Sequence, residues 1–543
     1  MLLSLQNVLH YVQDRCLLQI ESLEIFEGER IGLIGRNGVG KSTLLGILAG
    51  TIQPDAGQVT RHGQCAYLTQ FASDTQPEPE LLTPAARQLA TKREYGATLS
   101  GGEQTRYRLA AVLGQERPLL LADEPTANLD IGGAELLQAE LRNYPGAFVL
   151  VSHDRQLLDG VCNVIWELRD SRLLVYPGNY SDYLVQKERE QKHRQREYEQ
   201  YLQEKEHLEQ AVADRRSRSV STKKTPKRMG NSEARLHKMG NQKAQSSLDK
   251  AVKAIETRLA KLEKQEKPKT APIVNFQLNP TDGVYSKVVI RGERINKSFG
   301  QQVLFRDFDF NIMKGQKVAL FGNNGCGKTT LLKMIAGRAA PIHVAPTSRL
   351  GYFAQDLQQL RPDRSILANV MADSVRDEGF ARRLLAQLLF RRDDVYKKVQ
   401  VLSGGELVRV ALAQIIVSPA NVLLLDEPTN FLDLPSLEAL ETVLAEYDGT
   451  IVFASHDRKF INKVASHLII FDQPEIRVFA GNLEQYLQDH QAKKAPGGQP
   501  PEDRLVLEYR LTEVISRLSL TQDQGELARL DEEYRQLLTQ LRS

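Results

Sequence analysis

The sequence predicts an α/β protein in which one domain occurs twice in tandem. The two copies are joined by an α-helical coiled-coil hairpin, and a smaller helical hairpin follows them. Three observations predict this fold class. One glycine-rich loop occurs twice along the 543 residues, the same further motifs follow each loop in the same order, and the segment between the copies is polar, charged and helix-favouring. A loop of this kind joins a strand to a helix, which makes each domain α/β.

The glycine-rich loop has the pattern G-x-x-x-x-G-K-[S/T] and spans residues 35–42 in the first copy and 322–329 in the second. Its glycines let the backbone wrap phosphate groups, and its amides and the following helix N-terminus point at their negative charge. Lys41 and Lys328 are therefore predicted to contact the β- and γ-phosphates of ATP. The residues predicted to bind ATP in this way are Gly35, Arg36, Asn37, Gly38, Val39, Gly40, Lys41, Ser42 and Thr43, and in the second copy Gly322, Asn323, Asn324, Gly325, Cys326, Gly327, Lys328, Thr329 and Thr330.

Six oxygen-bearing side chains are predicted to hold Mg²⁺, four of them described here and two glutamines described below. Ser42 and Thr329 follow the loop lysines and supply a hydroxyl in each copy. An apolar, strand-like run ends in Asp123 in the first copy and in Asp426 in the second, and these carboxylates support the metal. An acidic residue after an apolar strand also fits a simple strand-end turn, but the loop upstream favours the metal.

Glu124 and Glu427 come directly after these aspartates and are placed to polarise an attacking water molecule. His153 and His456 each stand in a Ser-His-Asp run after another apolar strand. A histidine in such a place also fits a structural cap. The equal spacing from the glutamate in both copies favours a contact with the γ-phosphate, so both pairs are predicted catalytic residues.

Two glutamines and two aromatic residues complete the predicted sites. Gln70 and Gln355 each close a short strand-like run that contains an aromatic residue. They are predicted to be catalytic residues that bind the metal and the attacking water. Tyr11 and Phe299 precede the first core strands and are predicted to stack on adenine. Packing of these two rings in the core is the alternative.

The spacing of the motifs shows where the two copies differ. Lys41 corresponds to Lys328 with an offset of 287, whereas every motif from the Leu-Ser-Gly-Gly-Glu run to the histidine has an offset of 303. The second copy therefore has 303 − 287 = 16 extra residues between the loop and that run. From the glutamine to the serine of the run, the first copy has 30 residues and the second has 48.

Between the copies, the chain has the pattern of two coiled-coil helices. Apolar residues recur at spacings of three and four over residues 198–212 and again over residues 248–262. An interruption of 35 residues separates the two seams. This pattern predicts an antiparallel helical hairpin with a long tip over about residues 212–245.

The pattern also sets the expected domain boundaries. A Pro- and Gly-rich stretch near the end of the chain predicts a flexible linker, and a second, shorter pair of apolar helical repeats follows it. The predicted segments are the first α/β domain at 1–180, the hairpin at 181–271, the second α/β domain at 272–490, the linker at 491–501 and the C-terminal helical hairpin at 502–543.

The composition excludes several classes of protein. The net charge is only +3, so any affinity for nucleic acid must come from local patches. The longest apolar runs are strand-sized, which predicts no membrane span and no signal peptide. The four cysteines lie far apart and form no C-x-x-C pair, so neither a disulfide framework nor a zinc site is indicated. A cytoplasmic location is expected.

The Leu-Ser-Gly-Gly-Glu run stands at residues 99–103 and again at 402–406. It resembles the signature of ATP-binding-cassette ATPases, a group of P-loop NTPases, and the resemblance covers both copies. It implies that each ATP lies between the phosphate loop of one cassette and the signature of the other, within a monomer. It also implies a helical subdomain before each signature, short in the first cassette. The signature residues so implied to bind ATP are Ser403, Gly404 and Gly405 at the Lys41 site, and Ser100, Gly101 and Gly102 at the Lys328 site.

Two cassettes joined through a charged coiled-coil hairpin, with no membrane span, resemble the ABC-F subfamily. The Asp-Glu-Pro-Thr-Asn-Phe-Leu-Asp run at 426–433 is typical of that subfamily, and residues 123–130 are a close variant. The resemblance implies an ATPase that binds the E site of the bacterial 70S ribosome when ATP closes the cassettes. The hairpin then reaches toward the P-site tRNA and the peptidyl-transferase centre of the 23S rRNA.

The predicted tip suits contact with RNA phosphates. Residues 212–245 contain ten basic and two acidic residues, a local charge of 10 − 2 = +8. Affinity from such a patch falls as the salt concentration rises. A merely solvated loop is the alternative. The residues predicted to bind RNA are Arg215, Arg216, Arg218, Lys223, Lys224, Lys227, Arg228, Arg235, His237 and Lys238.

Two features favour the antibiotic-resistance type within the subfamily, which displaces large-subunit drugs by remodelling tRNA and rRNA. The short stretch before the first signature has no room for the arm that housekeeping members often carry, and the hairpin tip is long. A housekeeping translation factor is the alternative. A DNA-associated ATPase is disfavoured because residues 502–543 carry six basic and nine acidic residues, a charge of 6 − 9 = −3. A transporter ATPase subunit would need a membrane partner encoded elsewhere.

Overall fold

The structure is a computed structural model. It describes residues 1–69, 101–115, 117–127, 129–222, 246–247, 250–262, 286–299, 302–354, 359–390, 392–472 and 475–494. The predicted linker beyond residue 494 and the predicted C-terminal hairpin lie outside these residues. The chain divides into two compact units, which comprise Met1–Ala127 with Leu136–Val274, and Asn128–Glu135 with Asn275–Ser543.

The first cassette contains a small antiparallel sheet, a six-stranded sheet and the helices that cover it. The strands are β1 Leu3–Val12, β2 Arg15–Ile25, β3 Arg30–Gly35, β4 Ala56–Arg61, β5 Cys65–Leu68, β6 Leu119–Asp123, β7 Ala147–Val151, β8 Val164–Arg169 and β9 Arg172–Pro177. The helices are α1 Lys41–Ala49, α2 Gly101–Leu113, α3 Ile131–Asn143 and α4 Arg155–Val161.

The larger sheet of the first cassette has the order β5-β6-β7-β3-β8-β9. Its first five strands run parallel, and β9 pairs with β8 in the antiparallel sense. Every residue of β6 and β7 is buried, which explains their uninterrupted apolar sequences, since a parallel sheet is covered on both faces. The carboxyl ends of β3, β6 and β7 therefore meet at one edge, where ligands bind in open α/β sheets.

The interdomain segment forms the predicted helical hairpin. Helix α5 runs without interruption over Tyr180–Thr222, and α6 comprises residues 250–261. Leu208 of α5 and Val252 of α6 are both buried, as their positions in the predicted seams require. Arg258 donates a hydrogen bond to Glu204 across the two helices at 2.8 Å. The residues between 222 and 246, which include most of the predicted tip, lie outside the described part of the chain.

The second cassette repeats the architecture of the first. Its strands are β10 Val288–Phe299, β11 Gln302–Met313, β12 Lys317–Gly322, β13 Ile342–Val344, β14 Leu350–Phe353, β15 Val422–Asp426, β16 Thr450–Ala454, β17 His467–Asp472 and β18 Glu475–Ala480. The helices are α7 Lys328–Ala336, α8 Ile366–Met371, α9 Glu378–Gln387, α10 Gly404–Val417, α11 Leu434–Glu446, α12 Arg458–Val464 and α13 Leu483–Lys494, with 3₁₀ turns at Arg392–Tyr396 and Val399–Val401.

The sheet order β14-β15-β16-β12-β17-β18 matches the order in the first cassette strand for strand. Helices α8 and α9 and the two 3₁₀ turns stand between β14 and α10, in the stretch where the second copy is longer. The α/β fold class with two tandem cassettes and an intervening hairpin is thus confirmed.

Candidate active sites

The phosphate loop of the first cassette joins β3 to α1 and is shaped by its glycines. Gly38 and Gly40 have φ angles of 74° and 107°, in the left-handed region. A Cβ atom on Gly40 would lie 2.9 Å from Leu17 Cγ of β2, so only glycine fits there. Lys41, the first residue of α1, is buried, and its Nζ donates hydrogen bonds to the carbonyl oxygens of Gly35 at 2.8 Å and Arg36 at 3.1 Å.

The second loop has the same geometry. Lys328 Nζ donates to the carbonyl oxygens of Gly322 at 2.8 Å and Asn323 at 3.1 Å. Gly327 has a φ angle of 110°, and a Cβ there would lie 2.7 Å from the Phe305 ring. Each loop therefore holds an ammonium group at a helix N-terminus, where the backbone amides favour an anion.

A hydroxyl and a carboxylate meet beside each loop. Thr329 Oγ1 donates to Asp426 Oδ1 at 3.0 Å, and Ser42 hydrogen bonds to Asp123 in the first cassette. Both aspartates are buried, and burial raises the pKa of each carboxyl, while the hydroxyl hydrogen bond acts in the opposite direction.

This pair of oxygen donors fits Mg²⁺, which is bound through one or two protein groups together with phosphate oxygens and water. The described part of the chain has no cluster of three metal-ligating His, Cys, Asp or Glu side chains. When bound, the ion would neutralise charge on the phosphates. Ser42 with Asp123, and Thr329 with Asp426, are the groups that would hold it.

The glutamates after these aspartates have an unusual backbone conformation. Glu124 and Glu427 have φ angles of 50° and 49°, in the left-handed region that non-glycine residues seldom adopt. Their backbone amides donate to the carbonyl oxygens of Val151 at 2.9 Å and Ala454 at 3.0 Å on the neighbouring strands. This conformation costs about 1 to 3 kcal/mol per residue and is typical of functional sites. Its occurrence in both cassettes indicates that the direction of the carboxylate matters.

The structure brings each glutamate together with the histidine predicted from the Ser-His-Asp run. His153 Nε2 lies 2.9 Å from Glu124 Oε1, and His456 Nε2 lies 3.3 Å from Glu427 Oε1. Both oxygens of the buried Glu427 carboxylate lack a hydrogen bond within the described residues. Such orphaned acceptors suit a bound water molecule or ligand.

Burial separates the pKa values of the second pair. It raises the pKa of Glu427 to about 7, against the opposing effect of Lys328. It lowers the pKa of His456 to about 4, and Lys328 acts in the same direction. A carboxyl with a pKa near 7 is well matched to accept a proton from water at neutral pH, and the adjacent imidazole is neutral there.

A pair of hydroxyl side chains near each histidine was not recognised in the sequence. Thr126 Oγ1 lies 3.3 Å from Ser152 Oγ, and Thr429 Oγ1 lies 3.0 Å from Ser455 Oγ. These contacts connect the loop that carries the predicted catalytic glutamate to the loop that carries the histidine. Both positions recur with the offset of 303, and this repetition was the signal that could have identified them.

The second signature begins a helix, as its predicted contact with phosphate requires. Ser403 is the N-cap of α10, and its backbone amide and Oγ both donate to Glu406 Oε2, at 2.9 and 2.8 Å. A Cβ atom on Gly404 would have no atom within 4 Å, so the approach to this helix end is open. In the first cassette, α2 begins at Gly101. Pairing of each signature with the loop of the other cassette stays a prediction.

The remaining predicted site residues fall into two groups. Tyr11 and Phe299 are 47% and 58% exposed, so neither ring lies in a core, and their contact with adenine stays a prediction. Gln70, Ser100 and Gln355 lie outside the described residues. Of the predicted RNA-binding residues, Arg215, Arg216 and Arg218 lie in α5. The others, Lys223, Lys224, Lys227, Arg228, Arg235, His237 and Lys238, lie outside the described residues.

Two family models and several known proteins are similar to this chain. The family model described as ABC transporter matches residues 18–127 and 305–430, and a second model with the same description matches residues 166–276. The ribosome protection protein VmlR of Bacillus subtilis is 32% identical over all of this chain and 98% of its own length. The erythromycin resistance ATP-binding protein MsrA of Staphylococcus epidermidis is 34% identical over 84% of this chain and 94% of its own length.

The chain belongs to the ABC-F family. This ABC-F protein is an ATPase, as its two sets of loop, carboxylate and signature residues predicted. Among solved structures, it has the same fold as the archaeal ribosome recycling factor aABCE1. That protein is 18% identical, with a TM-score of 0.57 over 90% of this chain and 92% of that one. Within the described ranges of this ABC-F protein, no helix combines the length and apolar character needed to cross a membrane.

Proposed function

We propose that this ABC-F protein binds the E site of the bacterial 70S ribosome in the cytoplasm and displaces antibiotics from the large subunit. The hairpin remodels the P-site tRNA and the peptidyl-transferase centre of the 23S rRNA. The observation that carries the proposal is the similarity over the whole chain to a ribosome protection protein, at 32% identity. The similarity to an erythromycin resistance protein adds support.

Two features of the chain support the same function. Helix α5 is continuous from the first cassette for 43 residues and packs against α6, so the hairpin is stiff enough to transmit force. The tip that this hairpin carries has a charge of +8 over residues 212–245, which suits RNA phosphates. The stretch before the first signature has only 30 residues, which is too short to contain the arm of housekeeping members.

ATP controls this action in the proposed cycle. Binding of two ATP molecules closes the cassettes, each nucleotide lying between one phosphate loop and the opposite signature. Tyr11 and Phe299 stack on the adenines, Gln70 and Gln355 complete the metal sites, and the hairpin moves toward the P-site tRNA. Glu124 and Glu427 then activate water, ATP is hydrolysed and the protein leaves the ribosome.

The test compares the wild-type chain with the double variant Glu124→Gln, Glu427→Gln in a susceptible bacterium. The minimum inhibitory concentrations of a panel of large-subunit antibiotics are measured for both. Raised tolerance to drugs at the peptidyl-transferase centre or exit tunnel, lost in the double variant, is the expected result. It would also identify the drug class.

The opposite result is equally informative. No change for any drug, together with a double variant that arrests growth and sediments with ribosomes, would make the protein a housekeeping translation factor. A double variant that hydrolyses ATP at the wild-type rate would show that the glutamates have another role, since loss of a general base typically slows a reaction by about 10² to 10⁴-fold.

A further inference from the structure

The loop before β4 reaches back to the end of β1 through Asp55. The backbone amide of Asp55 donates to the carbonyl oxygen of Leu9 at 2.9 Å. Its Oδ2 accepts a hydrogen bond from the backbone amide of Tyr11 at 2.6 Å and lies 3.1 Å from His10 Nδ1. Asp55 therefore contacts three successive residues of β1, the last of which is the aromatic residue predicted to stack on adenine.

These contacts fall where β1 is irregular. The pairing of β1 with β2 shifts register between His10 and Tyr11. A bulge of this kind disturbs the hydrogen-bond ladder, and Asp55 supplies an acceptor for the Tyr11 amide there. Gly57, two residues after Asp55, has a φ angle of 94°, and a Cβ there would lie 2.4 Å from the carbonyl oxygen of Asn7. This close approach of two backbones brings Asp55 to β1.

The β1–β2 hairpin is in turn fixed against the phosphate loop. Leu17 packs onto Gly40, the residue before the loop lysine, so tightly that a side chain at Gly40 is excluded. The hydrogen bond that the Tyr11 amide donates to Asp55 restricts the direction of the backbone at the bulge. The ring itself is half exposed and open to a ligand.

In the second cassette, the aromatic residue Phe299 has different contacts. The pairing of β10 with β11 repeats that of β1 with β2 at an offset of 287, so Lys297 stands in the place of His10 and Ser298 in the place of Tyr11. Lys297 Nζ lies 5.2 Å from the centroid of the Phe299 ring and covers one of its faces. In the first cassette, a carboxylate therefore accepts a hydrogen bond from the Tyr11 backbone, whereas in the second an ammonium group lies over the Phe299 ring.

We propose that Asp55 is a positioning residue for the nucleotide base at the first ATP site. It holds the backbone of Tyr11 so that the ring presents its face to adenine, and it does not itself contact the nucleotide. This inference rests on the proposed adenine contact of Tyr11. It predicts that Asp55 matters for ligands that carry a base and not for phosphates alone.

Calorimetric titration of the full chain tests this role. The background variant Lys328→Ala confines tight binding to the first loop, and the probes are Mg-ATP and magnesium tripolyphosphate, which has no base. Asp55→Ala is expected to weaken ATP binding about 2- to 10-fold, the usual effect of one lost hydrogen bond, and to leave tripolyphosphate binding unchanged. Asp55→Asn keeps an acceptor oxygen and is expected to restore ATP binding. Asp14→Ala removes another exposed carboxylate of the same hairpin and serves as the matched control.

A double-variant cycle with Tyr11→Ala separates the possible failures. If Asp55 acts through Tyr11, Asp55→Ala has no further effect on ATP binding once the ring is gone. A full additional effect in that background, or an equal loss of tripolyphosphate binding, would overturn the role of Asp55 while the adenine contact stands. Unchanged ATP binding in Tyr11→Ala alone would overturn the adenine contact itself and this inference with it.

Discussion

Glu167 of β8 and Lys187 of α5 form an ion pair where the hairpin leaves the first cassette. The Glu167 side chain is only 9% exposed and that of Lys187 is 30% exposed, so water screens the pair weakly. The next residue of β8, Leu168, pairs with Gly35, which opens the phosphate loop. Glu167, which anchors the long helix, is therefore the neighbour along β8 of Leu168, the residue that pairs with the first residue of the phosphate loop.

Aromatic residues surround this ion pair. The rings of Tyr176 and Tyr183 meet edge to face with their centroids 5.0 Å apart, and Lys187 Nζ also donates to the Tyr183 hydroxyl at 2.8 Å. Burial and the neighbouring Glu167 carboxylate raise the pKa of Tyr176 to about 12. In the second cassette the repeat places Ile470 at the position of Glu167, so the charge at this strand position belongs only to the cassette from which the hairpin leaves.

Removal of one partner of this pair is expected to destabilise the first cassette. Lys187→Met leaves the Glu167 carboxylate buried without its cation, which should lower the free energy of unfolding by about 3 kcal/mol. The double variant Glu167→Ile, Lys187→Met replaces the ion pair by two apolar side chains, with isoleucine as at Ile470 of the second cassette. It should recover most of the lost free energy of unfolding. The single tryptophan, Trp166, is buried in β8 and reports unfolding of this cassette by its fluorescence in urea. Equal losses in both variants would show that the buried charge is not the cause.

The pKa of Glu427 predicts that this buried glutamate destabilises the protein without nucleotide at alkaline pH. Burial raises its folded-state pKa to about 7 from an ordinary value of 4.5, so folding favours the protonated form. Its stabilising effect is complete below about pH 4.5 and is lost as the pH rises through 7. Relative to Glu427→Gln, the wild type should lose roughly 3 kcal/mol at pH 8 and nothing at pH 4.5. Calorimetry of both proteins without nucleotide and Mg²⁺ measures this; a difference independent of pH would contradict it.

Loss of the contact between Thr429 and Ser455 is expected to slow ATP hydrolysis with little change in ATP binding. Ser455 Oγ also accepts a hydrogen bond from the Asp457 amide at 3.1 Å and so fixes the loop around His456. Ser455→Ala is expected to lower kcat about 5- to 10-fold, the effect of losing one or two hydrogen bonds. It is measured in the Glu124→Gln background, which isolates the second site. Ser455→Thr, which keeps the hydroxyl, is the control, and a fall in both variants alike would indicate a steric cause.

The charge of the hairpin tip predicts a specific salt dependence of ribosome binding. Replacing Lys223, Lys224, Lys227 and Arg228 by glutamine removes four of the ten basic residues of the tip. The slope of log K against log salt concentration should become shallower by about 3 if all four contact phosphates. Sedimentation of ribosomes with the ATP-bound double-glutamine variant measures K over a range of salt. The same number of replacements at exposed positions of α5, namely Arg189, Lys192, Arg194 and Arg196, is the control and should leave the slope unchanged.

The two sets of motifs predicted the cassette fold and singled out the glutamates and histidines that the structure brings together, because these features depend on local sequence. A loop, the helix after it and the strand ends form from neighbouring residues, and the parallel sheet brings the strand ends together. The contacts of Asp55 with Tyr11 and of Glu167 with Lys187 were not predictable in this way. The first depends on a bulge and the second on the way that a helix docks on a strand, and neither pair recurs in the second copy.

The length of helix α5 has a mechanical consequence. At about 1.5 Å per residue, its 43 residues span roughly 64 Å from Tyr180 to Thr222. A rigid rod of that length converts each degree of tilt at its base into about 1 Å of travel at its far end. In the proposed function, a small tilt where Glu167 and Lys187 anchor this helix would therefore become a displacement of several ångströms at its far end.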